Sequence, residues 1–237
     1  MRSRLASLDV HLVPPSSKPT CAVVLCHGFG APGDDLVSLA EPIRRRVPKA
    51  AAEALFVFPE APLALTELGG GARARWRIDG ERYVQRVARE GIGPVSREVP
   101  AALDPARRAL RGALDALASS TGIPVGRTLL GGFSQGAMVS VDTALALDEA
   151  PFGIAALSGA LISEGVWRER AARRSPMPVL VAHGRSDPML PFEAGRRVAQ
   201  LFEETGHIVD FVPFAGGHTI PAPAMDALAA LVQRLVA

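Results

Sequence analysis

The chain has 237 residues, 48% hydrophobic and 21% charged, a composition that can bury one sizeable core. Its 26 basic and 24 acidic residues leave a formal charge of +2, too balanced for a global field that draws in nucleic acid or an anionic bilayer. An aromatic content of 5% argues against base-stacking surfaces, and no apolar run approaches the roughly 18 residues that span a membrane.

The first 15 residues include two arginines, and Asp9 and His11 interrupt any apolar stretch, so the apolar segment of a secretory signal is lacking. Residues 8–13 alternate with period two and predict an edge or hairpin strand. Residues 22–26 and 54–58 are continuous apolar runs, expected of strands buried on both faces. Cys21 and Cys26 fall around one such strand, too close and too extended to pair. No disulfide framework is expected, and a reducing, cytoplasmic setting fits. Residues 35–47 are helical in pattern and stop before Pro48. Asp104 and Pro105 form an N-cap and first-turn pair, predicting a helix to about Ser119 that closes at Gly122. Further strands are predicted over 128–132, 152–157, 179–183 and 208–214, and helices over 135–147, 192–205 and 225–236. Strands alternating with helices imply an α/β fold: a mostly parallel central sheet with helices on both faces, expected as a single domain over 1–237. Residues 60–93 break the rhythm with Pro62, a glycine run at 69–71 and many arginines. They are expected to cross over one end of the sheet.

Ligands of such sheets bind beyond the carboxyl ends of the strands. There Gly132-Phe133-Ser134-Gln135-Gly136 spells G-x-S-x-G between a predicted strand and a predicted helix. A turn that sharp strains the serine backbone, needs small residues on either side, and presents the hydroxyl at the positive end of the helix. A hydroxyl is a poor nucleophile at neutral pH and needs a base oriented by a carboxylate. Asp187 follows the strand at 179–183 and His218 follows the strand at 208–214. Each alone reads equally as a turn former or a solvated loop residue. Together they stand at one edge of the sheet, in the Ser–Asp–His order of α/β-hydrolases. The oxyanion requires two donors. The backbone N–H of Gln135 is one, and Phe29 in the loop Cys26-His27-Gly28-Phe29-Gly30 is the choice for the second.

Gly28, Gly30 and Gly33 in the same loop also match the G-x-G-x-x-G dinucleotide fingerprint, with Glu60 as a late acid. Pro32 removes a donor from that would-be phosphate cradle, and Ser134, Asp187 and His218 would go unexplained. The dinucleotide reading is therefore a remote alternative.

Leu25-Cys26-His27-Gly28-Phe29-Gly30, Phe58-Pro59-Glu60-Ala61-Pro62, Gly131 to Met138, His183 to Pro191 and Gly217-His218 together resemble the phospholipase/carboxylesterase family. That family includes acyl-protein thioesterases, lysophospholipases and small bacterial carboxylesterases. The resemblance implies an α/β-hydrolase fold with no large separate lid. It also implies Ser134 as nucleophile, Asp187 and His218 as its partners, and oxyanion donors on Phe29 and Gln135. The family's Ser-Trp-Phe-Asp segment stands here as Arg75-Trp76-Arg77-Ile78-Asp79, which implies Trp76 on the acyl side of the pocket. The aspartate of the family's H-G-x-G-D-x-G loop is replaced by Ala31-Pro32, with Asp34 and Asp35 following. These departures leave the three catalytic candidates intact and bear on substrate preference.

Other features are read conservatively. His27 is expected to hydrogen-bond its turn, and His183 to pack or turn. His11 and His207 have no partners at metal-ligand spacing, so no metal or other cofactor is expected. Phe133, Met138, Met189 and Leu190 flank strand ends and are weighed as pocket lining against plain core. The arginines over 73–97 are weighed as an anionic-lipid contact against a solvated face balanced by Glu81, Glu90 and Glu98. The leading expectation is a small carboxylesterase acting on a small-molecule ester or thioester, as a monomer or homodimer without nucleic-acid partners or an integral membrane segment. A lysophospholipase or acyl-protein thioesterase is the alternative, and a non-catalytic binding protein of the same fold a remote one.

Overall fold

The computed structural model describes residues 1–237. A hairpin of β1 (Arg2–Leu5) and β2 (Leu8–Val13) forms one edge of an eight-stranded sheet. Next come β3 (Cys21–Cys26) and β4 (Ala54–Pro59), parallel to each other, with β4 antiparallel to β2. A separate short hairpin pairs β5 (Leu63–Ala64) with β6 (Arg73–Ala74). The parallel array continues through β7 (Thr128–Phe133), β8 (Gly153–Leu157), β9 (Pro178–Gly184) and β10 (Ile208–Phe214). The order β1-β2-β4-β3-β7-β8-β9-β10 is that of an α/β-hydrolase fold, and no large separate lid domain is present.

Nine α-helices connect the strands: α1 (Ala40–Arg46), α2 (Pro48–Glu53), α3 (Gly80–Glu90), α4 (Ile92–Ser96), α5 (Leu103–Thr121), α6 (Gln135–Ala146), α7 (Glu164–Ala172), α8 (Phe192–Glu204) and α9 (Ala222–Val236). None is long and apolar enough to cross a membrane. Every residue of β3 is buried, because its two faces meet different helices. Cys21, Val23 and Leu25 belong to the core shared with α1, α2 and α9, whereas Ala22, Val24 and Cys26 face α5 to α8. Each buried Val or Leu contributes about 1.5–3 kcal/mol relative to exposure, which offsets the entropy of ordering the chain. Both cysteines are free and buried.

Helix α5 buries Leu103, Ala106, Leu110, Ala113, Leu114 and Leu117, a stripe of helical period, and ends at Gly122 with φ +75°. It starts at Leu103, one residue before the expected cap, because the Leu103 side chain belongs to that stripe. Asp104 therefore lies in the first turn, pairing with Arg107 and Arg108 instead of capping. Residues 35–47 divide into a 3-10 turn over Asp35–Leu39 and α1. Pro48 opens α2 at the position where its missing N–H costs nothing. The Asp142 carboxylate of α6, almost wholly buried, accepts from Trp167 Nε1 at 2.9 Å and Arg107 at 2.8 Å, fastening α7 and α5 to α6.

Candidate active site

The turn between β7 and α6 holds Ser134 at φ +54°, ψ −120°, a conformation that L-residues rarely adopt. The turn is that sharp because its neighbours press on β3. A Cβ at Gly132 would sit 2.4 Å from the Cys26 carbonyl oxygen, and one at Gly136 only 1.9 Å from it. The Ser134 N–H donates to the Leu157 carbonyl of β8 at 2.9 Å, and the Ser140 hydroxyl to Gly131 at 2.7 Å. Backbone strain is thus held by bonds to the neighbouring strand and by α6.

Asp187 and His218 lie beyond the ends of β9 and β10. His218 Nδ1 donates to Asp187 Oδ2 at 2.7 Å. Asp187 Oδ1 accepts the Met189 and Leu190 N–H groups at 2.8 and 2.9 Å. Burial raises the Asp187 carboxyl, but the hydrogen bonds from His218, Leu190 and Met189 outweigh it and hold the group below its ordinary value. The carboxylate is ionised, so Nδ1 carries the imidazole proton and Nε2 is left able to accept one. The His218 ring lies 4.6 Å from that of Phe133, centroid to centroid. Ser134 and His218 line the same cavity and have no hydrogen bond to each other. His183, fully buried, bonds the Leu190 carbonyl through Nε2 at 2.9 Å, and burial lowers its pKa. It supports the Asp187 turn from below.

The loop from His27 to Ala31 follows β3 and is braced by residues 60–75. Gly30 N–H donates to the Arg73 carbonyl at 2.9 Å, and Arg73 N–H to the Ala31 carbonyl at 3.0 Å. The Phe29 ring packs on Leu65, Ala72 and Ala74 of the small hairpin. No turn or loop bond takes up the N–H of Phe29 or of Gln135. The His27 imidazole accepts from Ala61 N–H at Nε2, 2.9 Å away, so the Nδ1 proton goes to the Gly28 carbonyl at 2.9 Å. Burial, aided by the Arg75 charge, holds His27 at about 3, hence neutral.

Two side chains here were not legible in the sequence. Gln135 is fully buried; its Oε1 accepts Arg75 N–H at 2.8 Å and its Nε2 donates to the Trp76 carbonyl at 2.8 Å. Arg75 is only 5% exposed, which overturns the solvated-face reading at this position. Elsewhere in that stretch Arg86 pairs with Glu90 and Glu98, and Arg77 with Glu67. Glu81 makes no ion pair. Glu60, the late acid of the dinucleotide reading, is occupied by Arg2 and His11, both at 3.1 Å, and packs so closely on Gly33 that a Cβ there would lie 2.4 Å from its Cγ.

A cavity of about 880 Å³ opens onto Ser134. Trp76, Met138, Met189 and Leu190 all line it, as do Phe29 and Phe133, and most of its wall is apolar. Helices α3 and α4 form one side through Tyr83 and Val95. Met189 is 55% exposed and stands at the rim, whereas Trp76, Met138 and Leu190 are buried. No group of His, Cys, Asp and Glu side chains has the arrangement of a metal site.

Comparisons with known proteins converge on one family. The model of the family described as Phospholipase/Carboxylesterase matches residues 9–235. An acyl-protein thioesterase 1 from Neurospora crassa is 28% identical over 226 residues, covering 92% of this chain and 87% of that protein. The acyl-protein thioesterase 1 of Emericella nidulans is 30% identical over 207 residues, covering 82% and 81% respectively. Among solved structures, esterase PE8 superposes with a TM-score of 0.79 at 28% identity, covering 96% of this chain and 99% of that one. Arabidopsis thaliana SOBER1, at 20% identity and a TM-score of 0.71 over 92% of this chain and 99% of its own, shares the fold.

Proposed function

The chain belongs to the phospholipase/carboxylesterase family, a family of serine-hydrolase-like esterases, and from that premise we propose that it is a carboxylesterase working through an acyl-enzyme on Ser134. The observation that carries this reading is the 2.7 Å Asp187–His218 bond at the cavity that also receives the strained Ser134 turn.

His218 Nε2 takes the Ser134 proton as Oγ attacks the ester or thioester carbonyl. Asp187 keeps the other imidazole nitrogen protonated and stabilises the cation that forms. The N–H groups of Phe29 and Gln135 receive the tetrahedral oxyanion. His218 then protonates the leaving alcohol or thiol, and the acyl-enzyme remains. Water, giving a proton to the same imidazole, adds to that acyl carbonyl; the bond to Ser134 Oγ then breaks, His218 returns the proton to Oγ, and the acid leaves. Ser134 and His218 share the cavity, and the bond between such a pair commonly forms only once substrate is bound.

The cavity volume of about 880 Å³ lies in the range of sites for drug-sized ligands, and its largely apolar wall favours an acyl chain over a polar one. That volume, with relatives named acyl-protein thioesterases, supports a second reading in which the acyl group is long and its leaving group a thiol. Hydrolysis of matched oxygen esters and thioesters from acetyl to palmitoyl separates the two. The carboxylesterase reading expects kcat/KM to peak at short or medium oxygen esters. A peak at palmitoyl thioesters would transfer the assignment to the second reading.

A further inference from the structure

Arg75 is tied to both segments that carry the oxyanion donors. Its Nη1 donates to the His27 carbonyl at 2.8 Å, two residues before Phe29. Its backbone N–H donates to the Gln135 side chain at 2.8 Å. A third bond, from Nη2 to the Pro59 carbonyl at 3.3 Å, anchors the guanidinium to the end of β4. The group is buried and forms no ion pair. Glu60, next to Pro59 in the chain, gives its carboxylate to Arg2, His11 and Arg73 instead.

A buried cation facing carbonyl oxygens is costly in the resting protein, because no carboxylate pairs with it. The same cation becomes favourable when negative charge develops nearby in a site closed to water. Its field already reaches the loop, where after burial it is the second cause of the neutral His27.

We propose that Arg75 is a positioning residue for hydrolysis at Ser134, aligning the Phe29 and Gln135 donors and supplying fixed positive charge to the oxyanion. This rests on the ester-hydrolase reading above. The charge acts through the His27 peptide, while the backbone N–H of the same residue holds the Gln135 side chain, and neither touches the substrate. It stabilises the tetrahedral state and leaves ground-state binding unchanged, so its signature lies in kcat and not in KM.

Arg75→Gln keeps a donor and removes the charge; Arg75→Lys keeps the charge and gives up the fork. Both are compared with the wild type in hydrolysis of p-nitrophenyl butyrate. They are also titrated with an alkyl trifluoromethyl ketone, whose carbonyl carbon bonds Ser134 Oγ. The Ser134 proton passes to His218 and the carbonyl oxygen becomes an anion. Arg75→Gln is expected to lower kcat and ketone affinity together, by roughly 10- to 100-fold, somewhat less than loss of a whole oxyanion donor, with KM within twofold. Arg75→Lys is expected to stay within fivefold of the wild type in kcat. Unchanged kcat in Arg75→Gln, or a lower kcat with undiminished ketone affinity, would overturn the proposal. If Arg75→Gln does not fold, Arg75→Lys decides: within fivefold supports the role of charge, and a larger loss overturns it. A wild type without hydrolysis would remove the ester reading itself, whereas an active wild type with a silent Arg75→Gln removes only this inference.

Discussion

His218 Nδ1 and Asp187 Oδ2 are 2.7 Å apart, and the other oxygen of the same carboxylate is occupied by the Met189 and Leu190 N–H groups. The carboxylate cannot rotate without losing two backbone bonds, so the imidazole is held in one tautomer. In Asp187→Asn the oxygen facing those two N–H groups stays in place, and the amide nitrogen replaces Oδ2. An amide donates to Nδ1 and drives the imidazole proton onto Nε2, where a base is needed. We expect kcat to fall roughly 10³- to 10⁴-fold with the fold retained, as steady-state kinetics and circular dichroism would show. Activity within tenfold of the wild type would contradict this role for Asp187.

Gln135 joins the Ser134 turn to the bend after β6 that bears Arg75 and Trp76, by two buried side-chain bonds. Gln135→Leu fills similar space and leaves the Arg75 N–H and Trp76 carbonyl without partners. The expected loss is about 2–4 kcal/mol in unfolding free energy, read from urea denaturation. A change below 0.5 kcal/mol, in the range of surface substitutions, would show that water replaces the amide.

The placement of Ser134, Asp187 and His218 beyond strand ends was legible because G-x-S-x-G, the apolar runs and their spacing all agreed on a strand–turn–helix rhythm. What was lost has physical reasons. Pro48 reads as a stop, although at a first helical position it is a start. Helix α7 buries only Trp167 and Ala171, too little apolar repetition to stand out. The β5–β6 hairpin is held by bonds to a loop some 40 residues earlier, by the chain separation of Gly30 and Arg73, and local pattern does not report such pairing. Arg75 and Gln135 escaped for the same reason. Polar side chains are surface residues by default, and only their distant partners reveal otherwise.

His27 gives a pH signature of stability. In the folded protein it remains neutral down to about pH 3, whereas the unfolded imidazole takes a proton near 6.5. Between these values the unfolded state binds more protons, so stability is full above 6.5 and falls as the medium is acidified. The slope from this group is about 1.4 kcal/mol per pH unit. His183 and His207, also lowered by burial, act in the same sense. His27→Gln should flatten the decline in unfolding free energy between pH 6 and 4 by roughly that slope. An unaltered decline would contradict the burial of a neutral imidazole.

Met138 lines the cavity from α6, immediately beyond the Ser134 turn. Met138→Trp fills that space, and the change should fall on long acyl chains. The expected result is a drop of roughly tenfold or more in kcat/KM for octanoyl relative to acetyl esters, with acetyl hydrolysis largely kept. Equal losses on both would place the acyl chain elsewhere in the cavity.

Turnover and labelling of Ser134→Ala beside the wild type test most directly whether one strained serine performs the chemistry. The wild type should release an initial burst of p-nitrophenol and carry a fluorophosphonate adduct at Ser134 by mass spectrometry. The alanine protein should remain folded, take no label and lose at least roughly 10³-fold in kcat. Hydrolysis near the wild-type rate by Ser134→Ala, or an adduct on another residue, would contradict the account.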